Sequence, residues 1–250
     1  PALSTDSVVT LSSAQVRALT TSQIQALATD DFAALKTNQI TALSTTQVSA
    51  LTTALVAALT TAQAASLTAP QLNVLSTSNI AALTTSAANA LTTTQIQALL
   101  TGQIAALTTA DLAALSTSQF ISLLTSQIQA LTTDQIASLT PAEVTSLTTA
   151  QQIPNLSTAG IAALSSSQFV QFSSSQIQSL TTAQIAAITT DDIVNLTTSQ
   201  LSALKSNQIA ALTTAEAVAL TTNQIVLLSS AQAASLSTAA TAALTTDQLV

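Results

Sequence analysis

The sequence predicts an all-α solenoid of short capped helices, one in each eight-residue repeat, with a β-solenoid as the alternative. Three observations predict it. A leucine returns every eight residues from Leu3 to Leu244, and only Phe172 and Ile188 replace it. The thirty-one octads follow the pattern Leu-Thr-Thr-x-Gln-Ile-x-Ala, in which Ala, Gln and Leu favour helix. So strict a short period is typical of a repetitive rod or solenoid, because one local unit must solve the same packing problem repeatedly.

The beginning of each predicted helix is marked by a capping pattern. When each octad is numbered from its leucine as position 1, positions 2 and 3 are almost always Thr or Ser, and position 5 is Gln in twenty octads. A Thr followed three residues later by Gln forms a capping box, in which the two side chains satisfy free N–H groups reciprocally. The pattern leaves open which of the two Thr residues is the cap. The acidic residues at position 5 fit the same role, because a helix N-terminus favours negative charge; they are Asp31, Asp111, Glu143, Asp192 and Glu216.

Two prolines support helix beginnings inside the octad. Pro141 directly follows Thr140, where a first-turn proline is tolerated. Pro70 falls one place later in its octad, which predicts a cap shifted to position 3 there. From position 3 or 4 the helix is expected to run towards the next leucine. Ile at position 6 and that leucine then share one helical face, on a helix of about five or six residues and about 9 Å.

Two other architectures are less compatible with the octad. In a continuous α-helix, eight residues advance by about 800°, so the apolar stripe would drift by about 80° per octad. Strands are favoured by Thr, Ile and Val, but the octad lacks period-2 alternation and only Gly102 and Gly160 are glycines. A lone mini-helix is far too short to be stable, so stacking is required. Two octads per coil would give a 16-residue layer, but no odd–even difference marks one, and the number per coil stays open.

The domain prediction is a single continuous octad-repeat solenoid over residues 1–250, with one phase slip at 151–155. Nine residues separate Leu147 from Leu156, and Pro154 opposes ordinary helix continuation there. We interpret the slip as a tolerated one-residue bulge, with a kink or subunit contact as the alternative. Both termini fall at position 7 without a visible cap. Solenoids normally need polar caps, so we expect further repeats or end-to-end assembly.

Position 6 carries the main departures from the apolar pattern. Three phenylalanines there are expected to fill the core, and the neighbouring Phe169 and Phe172 are expected to pack in it as well. Five small or polar residues at the same position are expected to be thin spots in the core rather than docking sites. The phenylalanines are Phe32, Phe120 and Phe169; the thin spots are Ala64, Ala88, Ala217, Ala233 and Thr241.

Composition argues against several functions. The net charge is −7, with Arg17, Lys36 and Lys205 as the only positive side chains, so nucleic acid and anionic membranes are poor partners. No run of about 20 apolar residues occurs, so no membrane span is predicted. His and Cys are absent, and Ser without a nearby base is inert, so we expect no enzyme activity and no catalytic residues.

No cofactor site or metal site is predicted either. The only acidic pairs are Asp30-Asp31 and Asp191-Asp192. Adjacent carboxylates suit Ca²⁺, which takes six to eight oxygen ligands, but nothing in the spacing matches a known calcium loop. Helix capping explains these positions better.

Octads such as Leu131–Ser138 and the one beginning Leu139-Thr140-Pro141 resemble the low-complexity repeat arrays of large bacterial surface and secreted proteins. The resemblance covers the whole chain and implies a structural, adhesin-like extracellular protein that forms a fibre, stalk or surface filament. Its expected partner is itself, end to end or laterally. The alternative is a binding module, in which regular Thr rows contact ice or a polymer such as a glycan.

Overall fold

The computed structural model describes residues 5–249, with the side chains as far as Gln248, and divides the chain into two compact units, Pro1–Ala130 and Leu131–Val250. Both units consist of short helices, and no β-strand occurs in the described residues. The predicted all-α architecture of mini-helices in a regular repeating arrangement is therefore confirmed, and the β-solenoid alternative is wrong. One continuous solenoid over residues 1–250 stays a prediction.

The described part of the first unit, residues 5–130, contains sixteen helices: α1 (Thr5–Thr10), α2 (Ser13–Ala18), α3 (Thr21–Gln25), α4 (Thr29–Ala33), α5 (Thr37–Ala42), α6 (Thr45–Ser49), α7 (Thr53–Ala57), α8 (Thr61–Ser66), α9 (Ala69–Asn73), α10 (Thr77–Ala81), α11 (Thr85–Asn89), α12 (Thr93–Ala98), α13 (Thr101–Ala106), α14 (Thr109–Ala113), α15 (Thr117–Ile121) and α16 (Thr125–Gln129).

The second unit contains α17 (Thr133–Ala137), α18 (Pro141–Ser146), the 3₁₀ helix η1 (Ile153–Asn155), α19 (Thr158–Ala163), α20 (Ser166–Phe169), α21 (Ser174–Ser179), α22 (Thr182–Ile185), α23 (Thr190–Asn195), α24 (Thr198–Ala203), α25 (Ser206–Ala210), α26 (Thr214–Ala219), α27 (Thr222–Val226), α28 (Ser230–Ala233), α29 (Thr238–Ala243) and α30 (Thr246–Leu249).

The α-helices begin at position 3, and in most of them the Thr or Ser side chain at position 2 caps the first turn. In α12, the Oγ1 atom of Thr92 accepts a hydrogen bond from the backbone N–H of Gln95 at 3.2 Å, and the Oε1 atom of Gln95 accepts one from the Thr92 N–H at 2.7 Å. The capping box is therefore confirmed, and the cap is the Thr at position 2. Pro141 is the first residue of α18 and follows the cap Thr140, as the sequence predicts.

The predicted shift of the cap at Pro70 is wrong. Helix α9 begins at Ala69 after the cap Thr68, so Pro70 occupies the second helical position. The N–H groups of the first helical turn have no partner within the helix. A proline at the second position therefore removes no helical hydrogen bond, and the cap stays where it is in the other octads.

The regular spacing of the leucines reflects where each helix ends. Leu99 follows α12 in an extended conformation, with φ −62° and ψ 136°. Its N–H donates to the carbonyl of Ile96 at 3.2 Å, which closes the last turn. The chain then enters the next cap at once, so each leucine both ends a helix and leads into its successor.

Helices stack on others three octads away in the sequence. For example, α2 packs against α5, α10 against α13 and α26 against α29. Side-chain hydrogen bonds also join residues 28 and 31 positions apart, such as those from Gln39 to Leu11 and Val8. A coil therefore contains between three and four octads, and the two-octad layer is not observed in either unit.

Positions 6 and 1 build a continuous apolar core within each unit. Phe32, Phe120 and Phe169 are fully buried, which confirms that they fill the core. Phe172 is buried as well, and its ring meets that of Phe169 edge-on with centroids 5.3 Å apart. Among the predicted thin spots, Ala64, Ala88 and Ala217 are fully buried, whereas Ala233 and Thr241 in the last coil are exposed.

The nine-residue unit after Leu147 absorbs its extra residue in the capping turn. The Thr148 N–H donates to Oε1 of Gln152 at 3.0 Å, and the Gln152 N–H donates to Oγ1 of Thr148 at 3.2 Å, so cap and partner are four residues apart instead of three. The 3₁₀ helix η1 then replaces the α-helix. Ile153 and Leu156 are buried, so the core positions return to register.

Candidate functional site

The glutamine at position 5 makes a three-bond contact between coils, which we call the glutamine clasp. In Gln103, Oε1 accepts a hydrogen bond from the Leu100 N–H at 2.8 Å, next to its own helix. Its Nε2 donates to the carbonyls of Leu72 and Leu75 in the preceding coil at 2.7 and 2.8 Å. The side chain is buried, so all three bonds form away from water.

The same two donated bonds recur throughout both units, to carbonyls at positions 6 and 1 of the preceding coil. The partners lie 31 and 28 residues earlier in most cases. Gln168 and Gln176 reach 32 and 29 residues back across the nine-residue unit, and Gln119 donates to Asn89 and Leu91, 30 and 28 residues back. The regular clasps are those of Gln39, Gln47, Gln63, Gln71, Gln95, Gln103, Gln127, Gln184, Gln200, Gln208, Gln224, Gln232 and Gln248.

The clasp explains why position 5 is Gln far more often than Glu or Asp. The last carbonyls of a helix lack partners within that helix, and a buried carbonyl without a partner is costly. An amide accepts the cap N–H with its oxygen and donates two hydrogens to those carbonyls, whereas an ionised carboxylate only accepts. Sequence reasoning found the cap but missed the clasp. The preference for amide over carboxylate at position 5 was the signal for it.

Five acidic residues take the place of the clasp glutamine and are buried: Asp31, Asp111, Glu143, Asp192 and Glu216. Asp111, Glu143 and Glu216 accept the N–H of the cap residue as the clasp glutamine does; for example, the Thr140 N–H donates to Oε2 of Glu143 at 2.7 Å. Oε1 of Glu143 and Oδ1 of Asp192 are buried without a hydrogen-bond partner. Burial raises the pKa of Glu216, although hydrogen bonds from Thr213 act to lower it.

Two of these acidic residues, Asp31 and Asp111, accept a hydrogen bond from a hydroxyl group of the preceding coil. The Oγ1–H of Thr85 donates to Oδ1 of Asp111 at 2.9 Å, and that of Thr5 donates to Oδ1 of Asp31 at 2.6 Å. Both donors lie 26 residues before the acid, at position 3. Oδ1 of Asp31 and Oδ1 of Asp111 therefore each accept a hydrogen bond from the preceding coil, whereas Oδ1 of Asp192 has no hydrogen-bond partner.

The two acidic pairs separate into different environments. Asp30 and Asp191 are exposed in the first helical turn, whereas Asp31 and Asp192 are buried at position 5. Oδ2 of Asp192 accepts a hydrogen bond from Oγ1 of Thr189 at 2.7 Å. Over residues 5–249, no three His, Cys, Asp or Glu side chains come together in a metal-binding arrangement. The same residues include no helix that is long and apolar enough to cross a membrane.

Two leucines interrupt the column of capping hydroxyls in the first unit. Leu100 and Leu124 stand at position 2 and are 53% and 46% exposed, and helices α13 and α16 have no side-chain cap. They line a groove of about 700 Å³ together with Leu75, Gln97 and Gly102. Loss of a cap lowers helix stability by about 1 kcal/mol. At these two positions the chain therefore has exposed apolar side chains in place of stabilising caps.

The two faces of a coil differ chemically. In the first coil, the position-5 residues Gln15 and Gln23 are exposed, and their amides have no preceding coil within the described residues. In the last coil, the position-6 and position-1 residues Ile225 and Leu228 are only half-buried. A coil therefore presents amide donors on one face and carbonyls with apolar side chains on the other.

The ALTTAQ repeat family model matches six overlapping or separate windows that together cover more than half of the sequence: residues 1–29, 24–61, 104–141, 170–198, 185–222 and 193–230. The chain belongs to the ALTTAQ repeat family. No curated protein matches it. The prediction of a repeat protein is confirmed, and the stacked helices of this ALTTAQ repeat protein show how its octads pack.

Proposed function

We propose that this ALTTAQ repeat protein is a non-enzymatic structural protein that forms or extends a fibre, stalk or surface filament outside a bacterial cell. The observation that carries the proposal is the complementarity of the two faces of each coil. Within each unit, interior coils are joined to their predecessors through buried position-5 amides and helix-end carbonyls.

The exposed donors of the first coil supply one half of such an interface. Oε1 of Gln23 accepts the Thr20 N–H at 2.8 Å, as in a complete clasp. Its Nε2 group is in the place where the amides of interior glutamines bind a preceding coil. Gln15 has the same arrangement with Ser12 at 2.8 Å. These capping bonds orient the side chains of Gln15 and Gln23 as in a complete clasp, with Nε2 available to donate to a preceding coil.

The last coil supplies the other half. Ile225 and Leu228 carry the position-6 and position-1 carbonyls that a following coil would contact. Their side chains are half-buried where the equivalent Ile209 and Leu212 are buried. A further coil would cover this apolar surface and bind these carbonyls, whether it comes from more octads of the same protein or from a second copy. The interface thus supports unlimited addition of like units.

The extracellular bacterial location is supported by the resemblance to surface repeat arrays and by the scarcity of charge. A filament made of Thr, Ser, Gln and apolar residues needs neither ions nor disulfides, and this chain has no cysteine. Immunogold labelling of intact cells that express the protein would show label on the outer surface; label confined to the cell interior would contradict this part of the proposal.

Assembly is tested by sedimentation and negative-stain electron microscopy of the purified chain over a range of concentrations. We expect filaments or concentration-dependent oligomers for the wild type. The double variant Gln15→Glu with Gln23→Glu keeps the capping acceptors but removes the donors, so it should assemble much less. The matched control is Gln171→Glu with Gln178→Glu, which adds the same charge at exposed sites.

Three results would count against the proposal: a monodisperse wild-type monomer at high concentration, undiminished assembly of the Gln15 and Gln23 variant, or equal loss in the control. Equal loss would show that added negative charge alone prevents association.

A further inference from the structure

Glu216 occupies the clasp position between octads that carry complete glutamine clasps. Nε2 of Gln208 donates to Ile177 and Leu180 at 2.9 and 2.8 Å, and Nε2 of Gln224 donates to Ile193 and Leu196 at 2.8 and 3.2 Å. The same spacing of 31 and 28 residues assigns the carbonyls of Ile185 and Ile188 to Glu216.

The carboxyl group of Glu216 performs only part of the clasp when it is ionised. Oε2 accepts the Thr213 N–H at 2.7 Å, and the side chain is only 3% exposed. An ionised carboxylate has no hydrogen to donate, whereas the protonated acid has one O–H donor. Protonation would therefore restore one of the two bonds that a glutamine makes to the preceding coil.

No positive charge on the neighbouring helices offsets the burial of Glu216. Helix α26, which carries Glu216, packs against α23 and α29. Helix α23 brings the carboxyl groups of Asp191 and Asp192, and α29 brings no titratable side chain. No Lys or Arg lies on these three helices. Burial also raises the pKa of Glu216.

We propose that Glu216 is a proton-dependent clasp: its protonated carboxyl group donates to a carbonyl of the preceding coil, and its ionisation weakens the stacking of α26. The proton comes from solvent and returns to it. This inference goes beyond the proposed structural function, because it makes the stability of one coil interface respond to acidity whether or not the protein forms filaments.

The sign of the effect follows from the direction of the shift. A carboxyl group whose pKa is higher in the folded state binds its proton more tightly there than in the unfolded chain. Its contribution is therefore fully present below the unfolded pKa, about 4.3 for Glu, and is lost as the pH rises through the folded pKa. Between those values, the folding equilibrium constant should fall by about tenfold per pH unit for one such group.

The test compares urea unfolding midpoints, followed by far-ultraviolet circular dichroism, from pH 4.5 to pH 8 for the full-length wild type and Glu216→Gln. We expect the wild-type midpoint to fall more steeply with pH than that of Glu216→Gln, which should be the more stable protein at pH 7. Asp247→Asn removes the same charge from an exposed first-turn position of the same unit and should keep the wild-type slope.

Parallel pH profiles for the wild type and Glu216→Gln would overturn the proposal, as would an equal flattening by Asp247→Asn. A second measurement does not depend on stability. The ¹³C chemical shift of the Glu216 carboxyl carbon should titrate above the ordinary pKa of glutamic acid, and titration at or below it would also overturn the proposal.

Discussion

The first coil of the first unit and the last coil of the second unit expose opposite positions of the same octad. In the first coil, Val16 and Ile24 at position 6 are buried, whereas Gln15 and Gln23 at position 5 are exposed. In the last coil, Gln232 and Gln248 at position 5 are buried, whereas Ala233 and Thr241 at position 6 are exposed. Position 5 therefore faces the preceding coil and position 6 the following one. The contribution of a side chain to the free energy of unfolding therefore depends on whether its coil packs against a preceding coil, a following coil or both.

The largest effect is expected at position 6, with one substitution made in an interior coil and in the last coil. Ile209 is fully buried and Ile225 is half-buried, and both lie in the second unit. Ile209→Ala should cost about 2–5 kcal/mol of unfolding free energy, as for other buried aliphatic truncations. Ile225→Ala should cost less than half as much. Urea denaturation measures both, and equal costs would contradict the assignment of position 6 to the following coil.

The next effect concerns the clasp at position 5. Gln47 accepts the Ser44 N–H and donates to Val16 and Leu19, whereas the amide of Gln23 has only its capping bond. Gln47→Ala leaves the Leu19 carbonyl without this donor, at about 1–3 kcal/mol, whereas the Val16 carbonyl keeps its bond from the Leu19 N–H. Gln23→Ala should cost about 1 kcal/mol, the value of a cap. Thermal and urea unfolding of the two variants should therefore differ clearly; the same loss for both would mean that the clasp adds nothing to the cap.

A smaller and equal effect is expected at the capping serines. Ser12 caps α2 in the first coil and Ser44 caps α6 in an interior coil, each by accepting an N–H at 3.2 Å. A cap is local to its helix, so Ser12→Ala and Ser44→Ala should each cost about 1 kcal/mol. If the interior variant loses much more stability in urea denaturation, the caps also take part in stacking.

The smallest effect should be a gain. Leu124→Thr places a hydroxyl at position 2 of the octad that contains α16, where the side-chain cap is missing. Leu124 is 46% exposed, so only part of its surface is buried, and we expect the new cap to raise the unfolding midpoint by the equivalent of about 0.5–1 kcal/mol. Leu124→Ala is the control, since it removes the leucine without adding a cap. A gain of the same size in both would show that exposure of Leu124, and not the missing cap, lowers stability.

The local structure of the octad was predictable because its causes are local. The spacing of Thr92 and Gln95 indicates the capping box, and the spacing of Ile96 and Leu99 indicates the shared apolar face. The prediction from Pro70 was wrong because the N–H groups of the whole first turn lack helical partners, so proline is also tolerated at the second helical position.

The stacking of the octads was less predictable. Because the octads are nearly identical, their sequences do not indicate which helices pack together. The number of octads per coil therefore could not be predicted from the sequence. The clasp acceptors are backbone carbonyls, which every residue has, so only the donor Gln could reveal the contact.

The non-integer number of octads per coil has a consequence for how the repeat array can evolve. Each clasp spans the junction between two consecutive helices of the preceding coil, as Gln127 does between Ile96 and Leu99. The helices of one coil are therefore offset along the chain direction from the helices of the coil beneath. Because the acceptors are main-chain carbonyls, a clasp can form whichever octad lies in the preceding coil. Recombination between near-identical gene segments can therefore add or delete single octads, and the array length can vary among descendants without any new interface.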